Sequence, residues 1–281
     1  MDVKKSVIWA CASSPFRDRI AREKTMALAG FLEIARQAGV GAVELHTDTL
    51  PVGDAAALSA LREDLRSRGM TCPMVSADTD LCTDEAGAAA EMARARQAVA
   101  AAGILGARWL RVLAGPGRDG LERAEGIARV VPRLQELAHF ASGAGVGVVL
   151  ENVSGAPGWN AAHFAMSGPV FIAVAERVSK EGVSILFNTA TLLGTRDGGA
   201  WLLRRVLPSL AALRLIDRAA RGSEKPVELG HGRLKLADLF RHLQKHQWRG
   251  ILLVDYAGPP SPAPLRRCAA YARQVWDAVE P

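Results

Sequence analysis

Eight short apolar runs rich in β-branched and aromatic residues recur along the chain, and stretches with helical spacing lie between them. The runs are SVIWAC (6–11), GAVELH (41–46), TCPMVSA (71–77), RWLRVLA (108–114), GVGVVLEN (145–152), VSILFN (183–188), LAALRLID (210–217) and GILLVDY (250–256). Ile127, Val130, Val131, Leu134, Leu137 and Ala141 repeat at three and four residues, one apolar helical stripe. Pro132 inside that stripe predicts a kink or break near Val131. Leu265, Cys268, Ala269, Ala272, Val275, Trp276 and Val279 make a second stripe, with Pro264 suited to its first turn. Gly39, Gly69 and Gly250 follow helical patterns in the position of C-terminal caps. Near-continuous apolar strands joined by crossover helices require a parallel sheet covered by helices. Eight such units favour a closed barrel over an open sheet, and no linker or shift in composition divides the chain. The expectation is a single (β/α)₈ TIM barrel over residues 1–281.

Composition excludes several classes. Hydrophobic residues at 49% and charged residues at 23% describe an ordinary globular protein. The net charge of +6 favours an acidic small-molecule partner, but Lys and Arg are scattered rather than clustered, which argues against nucleic acid. Cys11, Cys72, Cys82 and Cys268 show no CxxC spacing and read as reduced thiols, so a cytoplasmic location is expected. The longest uncharged stretch, Ser154 to Ala175, is broken by Pro157, Gly158 and the Gly168–Pro169 pair, so no membrane span is expected. A homo-oligomer is compatible with the sequence, which does not set the number of copies.

A barrel of this kind carries its chemistry at the C-terminal ends of the strands. The polar residues there are Glu44 and His46, Asp78, Arg111, Glu151 and Asn152, Asn188, Arg214 and Asp217, and Asp255. His231, between two glycines in LGHGRL, could bring an imidazole over the site or sit on a plain turn. His163 falls in the long segment after the fifth strand, where Trp159 and Phe164 could cover the mouth. His139, His242 and His246 belong to predicted helices and read as outer-face residues. GPGRDG (115–120) satisfies GxGxxG, but it follows the fourth strand, has Pro116 in the turn and lacks an acid placed for a ribose. It reads as a loop whose amides and Arg118 could hold an anion.

The segments VVLENVSG, ILFNTATLL, LRLID and VELGHGRLKLADLFRHLQKHQWRGILLVDY resemble the sugar phosphate isomerase/epimerase family, with its xylose-isomerase-like barrel. The resemblance implies a site in which the fifth strand ends in a glutamate and the sixth in an aspartate with a nearby histidine. The seventh carries a histidine three residues before an aspartate, and the eighth ends in a glutamate. Those groups bind one divalent metal, and the two glutamates move protons. Here Glu151 and Asp217 match. Asn188 and Thr191 stand for the sixth-strand aspartate and histidine, Arg214 for the seventh-strand histidine, and Asp255 for the eighth-strand glutamate. A guanidinium has no lone pair to give a metal. No cofactor is therefore expected, and the family's Mn²⁺, Mg²⁺ or Zn²⁺ is not.

The expected activity is isomerisation, epimerisation or elimination on a small hydroxylated, sugar-like carbonyl compound. Glu151, Asp255, Arg214 and His231 are the expected catalytic groups. Asn188, His46, Glu44, Arg111, Asp217 and Trp159 are the expected substrate contacts. The alternative is a barrel that binds a polar ligand in the same mouth without turnover. Nucleic-acid repair, the work of an endonuclease group sharing this barrel, needs a histidine-rich multi-zinc site that six scattered histidines do not rebuild.

Overall fold

The structure, a computed structural model, describes residues 7–153, 161–194, 199–223, 225–255 and 261–280. Eight parallel strands close a barrel: β1 (Ile8–Ala12), β2 (Ala42–His46), β3 (Thr71–Ser76), β4 (Trp109–Val112), β5 (Gly147–Glu151), β6 (Ser184–Asn188), β7 (Leu210–Leu215) and β8 (Ile251–Val254). Each pairs with its sequence neighbours, and β1 pairs with β8 to complete the ring. All eight runs marked in the sequence are barrel strands. Around them lie α1 (Arg17–Ala21), α2 (Leu28–Gln37), α3 (Ala55–Ser67), α4 (Glu85–Leu105), α5 (Arg123–Gly143) and α6 (Gly168–Val178). They are followed by α7 (Ala190–Gly194), α8 (Ala200–Val206), α9 (Leu236–Lys245) and α10 (Pro262–Ala278). A short antiparallel ribbon, Asp217–Arg218 against Pro226–Val227, follows β7. Among the described residues no helix is long and apolar enough to cross a membrane.

Alternation of side chains along the strands sorts the core. Outward residues such as Val43, Val75, Leu110, Leu150, Phe187, Leu213 and Leu252 meet the helices in one large cluster. Inward residues form a second cluster inside the barrel: Ala10, Ala42, Met74, Val149, Leu186, Ala212, Ile251 and Leu253, with Trp109 packed against it. Two residues further along, the inward position is polar in every unit after the first. Ala42 gives way to Glu44, Met74 to Ser76, Trp109 to Arg111, Val149 to Glu151, Leu186 to Asn188, Ala212 to Arg214 and Leu253 to Asp255. One apolar layer thus carries one polar layer at the C-terminal mouth.

Two local expectations are corrected. The helix α5 runs unbroken for 21 residues through Pro132. Pro132 lies on the exposed face, so water can satisfy the carbonyl it deprives, while buried Val130, Leu134 and Leu137 hold both halves to the core. Gly250 is not a helix cap: α9 ends at Lys245, and Gln247 takes the left-handed conformation instead (φ 52°). A Cβ on Gly250 would lie 2.3 Å from the Ala211 carbonyl and 2.4 Å from the Trp248 ring, so close approach to β7 is what requires glycine.

The seam between the first and last units is closed by aromatic rings. Trp276 is fully buried and stands edge-on to Phe240 at 5.0 Å and to Trp9 at 6.4 Å. Replacing it empties the centre of that cluster. Trp276→Ala is expected to lower the unfolding free energy by about 3–5 kcal/mol, read from urea denaturation midpoints at unchanged m.

Candidate functional site

Arg214 projects from β7 into the barrel axis and is 3% exposed. It donates from Nε to Glu151 Oε1 (2.8 Å), from Nη1 to Asp255 Oδ2 (2.9 Å) and from Nη2 to Glu44 Oε1 (3.2 Å). Carboxylates from β5, from the end of β8 and from β2 therefore converge on one guanidinium. Each acid has a further partner. Ser14 Oγ donates to Asp255 Oδ2 (2.7 Å), Ser76 Oγ donates to Glu44, and the Asn188 amide donates to Glu151 Oε1 (3.1 Å). A second arm extends from Glu151. Arg111 Nε forms an ion pair with Glu151 Oε2 at 3.0 Å, and Arg111 Nη1 donates to Asp78 Oδ1 (2.7 Å) and to the Ala77 carbonyl. Asp78 also accepts from Arg17 Nη1 (2.5 Å) and faces His46 Nε2 at 3.3 Å. Arg17 reaches on to Asp48, whose backbone N–H donates to His46 Nδ1 (3.2 Å). An Nδ1 that accepts puts a ring N–H on Nε2, the atom that faces Asp78.

These groups enclose a cavity of about 160 Å³ at the mouth. Its lining holds four acids (Glu44, Asp78, Glu151, Asp255) against three guanidiniums (Arg17, Arg111, Arg214). The electrostatics differ from acid to acid. Burial pushes Asp255 above the ordinary aspartate range, and Glu44 adds to that. The opposing pull of Arg214 and the Ser14 hydroxyl does not cancel it. Burial acts in the same direction on Asp78, but Arg111, His46 and Arg17 together outweigh it and hold its pKa well down. Glu44 is also lowered, the fields of Arg214 and Arg111 and the Ser76 hydroxyl overcoming desolvation. Glu44 Oε2 is nonetheless buried with no hydrogen-bond partner among the described residues, an acceptor left open in the wall.

Asn188 shows why an amide ends β6. Its Oδ1 accepts from the Ala190 N–H (3.0 Å), which turns its NH₂ toward Glu151. Asn152 completes the corner: its Oδ1 accepts from the Asn188 N–H (2.7 Å) and its amide donates to Thr191 Oγ1 (2.7 Å). Thr191 in turn donates to the Asn188 carbonyl. A hard divalent cation needs several oxygen or nitrogen lone pairs aimed at one point. Here the three carboxylates aim at a guanidinium, and the Asn188 oxygen is committed to the backbone. Among the described residues no group of three His, Cys, Asp or Glu side chains is arranged to hold a metal. As arranged, the residues do not fit the divalent metal that the sequence resemblance implies.

Glu151, Asp255, Arg214, Asn188, His46, Glu44 and Arg111 are thus brought to one cavity. Two sequence candidates are not. Asp217 is buried below the loop that follows β7, accepting from the N–H groups of Arg218, Gly230, Gly232 and Leu234. The glycines of LGHGRL serve that arrangement, since a Cβ on Gly232 would lie 2.2 Å from Asp217 Oδ1. With both flanking amides drawn to Asp217, His231 is exposed and outside the cavity lining. Trp159 lies outside the described residues. His163 is buried against the end of β4. Its Nε2 accepts from the Ala114 N–H (3.0 Å), and burial followed by the field of Arg111 lowers its pKa to about 3, so the ring is neutral. Pro116 of GPGRDG pairs with His163, and Arg118 is engaged by Asp80, so that loop is bonded into the rim rather than open to a phosphate. Ser14, Arg17 and Ser76 were missed. Ser76 carries a usable signal, as the inward residue two after Met74. Ser14 lies in the 3₁₀ turn after β1 and Arg17 opens α1, beyond the strand, where inward and outward positions no longer alternate.

A family model described as xylose isomerase-like TIM barrel matches residues 32–275. No curated protein matches the chain in sequence. Among solved structures, an L-ribulose 3-epimerase superposes with a TM-score of 0.78 at 16% identity, over 96% of this chain and 95% of that one. A D-psicose 3-epimerase, solved in the presence of D-fructose, gives 0.73 at 15% identity over 96% and 99%. The probable 3-DHS dehydratase AsbF from Bacillus anthracis, involved in petrobactin synthesis, gives 0.74 at 12% identity over 94% and 98%. At these identities the likeness is one of fold.

The raised pKa of Asp255 has a consequence for stability. A carboxyl whose folded pKa exceeds its unfolded value binds protons more tightly when folded, so its stabilising share is complete below the unfolded pKa and is lost as pH rises through the folded one. Asp255→Asn lacks that loss. The difference in Tm, variant minus wild type, is expected to increase from pH 4 to pH 8. A difference that stays flat or falls would show that Asp255 is not held protonated by its surroundings.

Proposed function

We propose a function from one premise: the chain belongs to the xylose isomerase-like TIM barrel family. Its reaction is the isomerisation or epimerisation of a small hydroxylated carbonyl compound, a free sugar in type, by proton transfer at the carbon beside the carbonyl. The observation that carries this reading is the convergence of Glu151, Asp255 and Glu44 on the Arg214 guanidinium at the mouth of the barrel. Two of the solved structures of like fold are named as sugar 3-epimerases, which agrees with it.

Each group has a part that follows from its surroundings. Asp255, whose pKa burial raises above the ordinary aspartate range, is the carboxyl of the cavity best suited to exchange a proton. As a base it takes the proton from carbon, the C–H electron pair forms the C=C bond of an enediolate, and charge collects on the former carbonyl oxygen. Arg214 has five N–H groups, and its three bonds to acids leave two for that oxygen. Arg111 Nη2, without a protein partner among the described residues, supplies a further donor. Glu151 stands three strands from Asp255 around the eight-strand ring, across Arg214. It relays a proton taken from solvent to the other side of the enediolate carbon, as epimerisation requires, while the proton held by Asp255 leaves to solvent. Glu44 Oε2 and Asn188 are placed to orient hydroxyls.

The substrate is neutral rather than acidic. In the cavity lining, acids outnumber guanidiniums, so the basic charge of the whole chain does not extend to the mouth. The chemistry proceeds without a divalent metal, because the guanidinium stands at the point of convergence that a cation would need and already carries fixed positive charge there.

The test is α-proton exchange with D₂O, followed by NMR, for neutral ketoses and aldoses and for their aldonate counterparts, using enzyme dialysed against EDTA. Exchange of a neutral ketose or aldose is expected, unchanged by EDTA and slowed about 10²–10⁴-fold in Asp255→Asn. Exchange that appears only after Mn²⁺, Mg²⁺ or Zn²⁺ is added would overturn the metal-independent reading. Saturable binding of sugars with no exchange under either condition would overturn catalysis and leave a binding barrel.

A further inference from the structure

A larger cavity, of about 740 Å³, lies outside the mouth, between α7 and α8 on one side and α9 with the segment after β7 on the other. It shares no lining residue with the catalytic cavity. Its volume falls in the range of sites that enclose a whole small molecule. The sixth unit contributes two short helices to the wall of this cavity, of 5 and 7 residues. Leu192, Leu193, Leu203, Leu234 and Leu239 give it an apolar wall.

The charges around that wall are one-sided. Arg204 comes from α8, and Arg221, Arg233 and Lys235 come from the segment after β7. None of the four forms an ion pair among the described residues, whereas other guanidiniums such as Arg36, Arg66 and Arg267 pair with neighbouring acids. Among the described residues the lone acid in the lining, Asp238, is already paired with Arg241 (2.9 Å). His242 supplies a second, independent sign. The residue lines the cavity, while its Nε2 is turned away from solvent and has no hydrogen-bond partner among the described residues. Burial, with His246, Arg204 and Lys245 nearby, holds the ring neutral. A buried imidazole nitrogen beside unpaired cations and a leucine wall leaves a polar need that water or a ligand must meet.

We propose that this cavity binds an amphipathic anion, a carboxylate or phosphate ester attached to an aliphatic body. The body lies on the leucines and the anionic head lies among Arg204, Arg221, Arg233 and Lys235, and a turn of the His242 ring brings its Nε2 out to donate to the head. The site is independent of the sugar chemistry at the mouth and stands or falls by itself.

The test is calorimetric titration of the full chain with decanoate and with decyl phosphate, both kept below their micelle concentrations, with decanol and inorganic phosphate as controls. One-to-one binding of at least one of the two anionic amphiphiles is expected. Decanol and inorganic phosphate, each lacking one half of the ligand, should bind at least tenfold more weakly. The double variant Arg204→Glu, Lys235→Glu changes two exposed side chains. It should keep the wild-type Tm and lose tenfold or more in affinity. Whether decanoate or decyl phosphate binds more tightly distinguishes a carboxylate from a phosphate head. Absence of binding by both, equal binding of decanol, or unchanged affinity in the double variant would each overturn the proposal. So would binding to anionic lipid vesicles without binding to either monomeric amphiphile.

Discussion

A guanidinium cannot shed its proton, so one buried at a barrel axis must be matched by acids or the chain will not fold around it. Arg214 sets that requirement, and Glu44, Glu151 and Asp255 meet it from three different strands. The requirement then spreads. Glu151 draws in Arg111, Arg111 draws in Asp78, and Asp78 gathers His46 and Arg17. The polar layer is therefore one connected network whose members depend on one another, and little of it is decided strand by strand. Its apolar counterpart below is held by packing alone.

The barrel was legible because its signal repeats. Eight runs with crossover helices leave few topologies, and boundary errors of a residue or two do not alter the count. The site was legible where strand periodicity reached it. Glu44, Glu151, Asn188 and Arg214 take inward positions in the C-terminal parts of their strands, and the same parity would have found Ser76 behind Met74. Parity stops where the strand stops. Ser14 and Arg17 arrive from the turn after β1 and the start of α1, and nothing local in SSPFR says that the Ser14 hydroxyl meets an acid 241 residues away. His231 was misplaced for the converse reason. Glycines on both sides of a histidine suggest a mobile presenter, yet they serve close approach to Asp217, a partner 15 residues earlier than Gly232.

Net charge misleads in a similar way. The chain carries +6, but the excess resides on helices and outer loops while the mouth is lined by more acids than guanidiniums. A whole-chain sum averages over an interior where charges must pair and a surface where they need not. The outer cavity beside α8 and α9 gathers cations that form no ion pair among the described residues.

The step from apolar to polar across a single pleat also bears on how such a protein changes over evolutionary time. What holds the barrel together and what meets a ligand lie on the same strands, separated by two residues, so drift at the rim need not disturb the layer beneath. The rim itself is not free to drift one site at a time. A histidine in place of Arg214 would remove a guanidinium partner from three acids, and an amide in place of Glu151 would remove a charged partner from two guanidiniums. Lineages of this fold that differ at the mouth would then differ there by whole compensated sets, crossing between solutions through paired replacements rather than by gradual exchange.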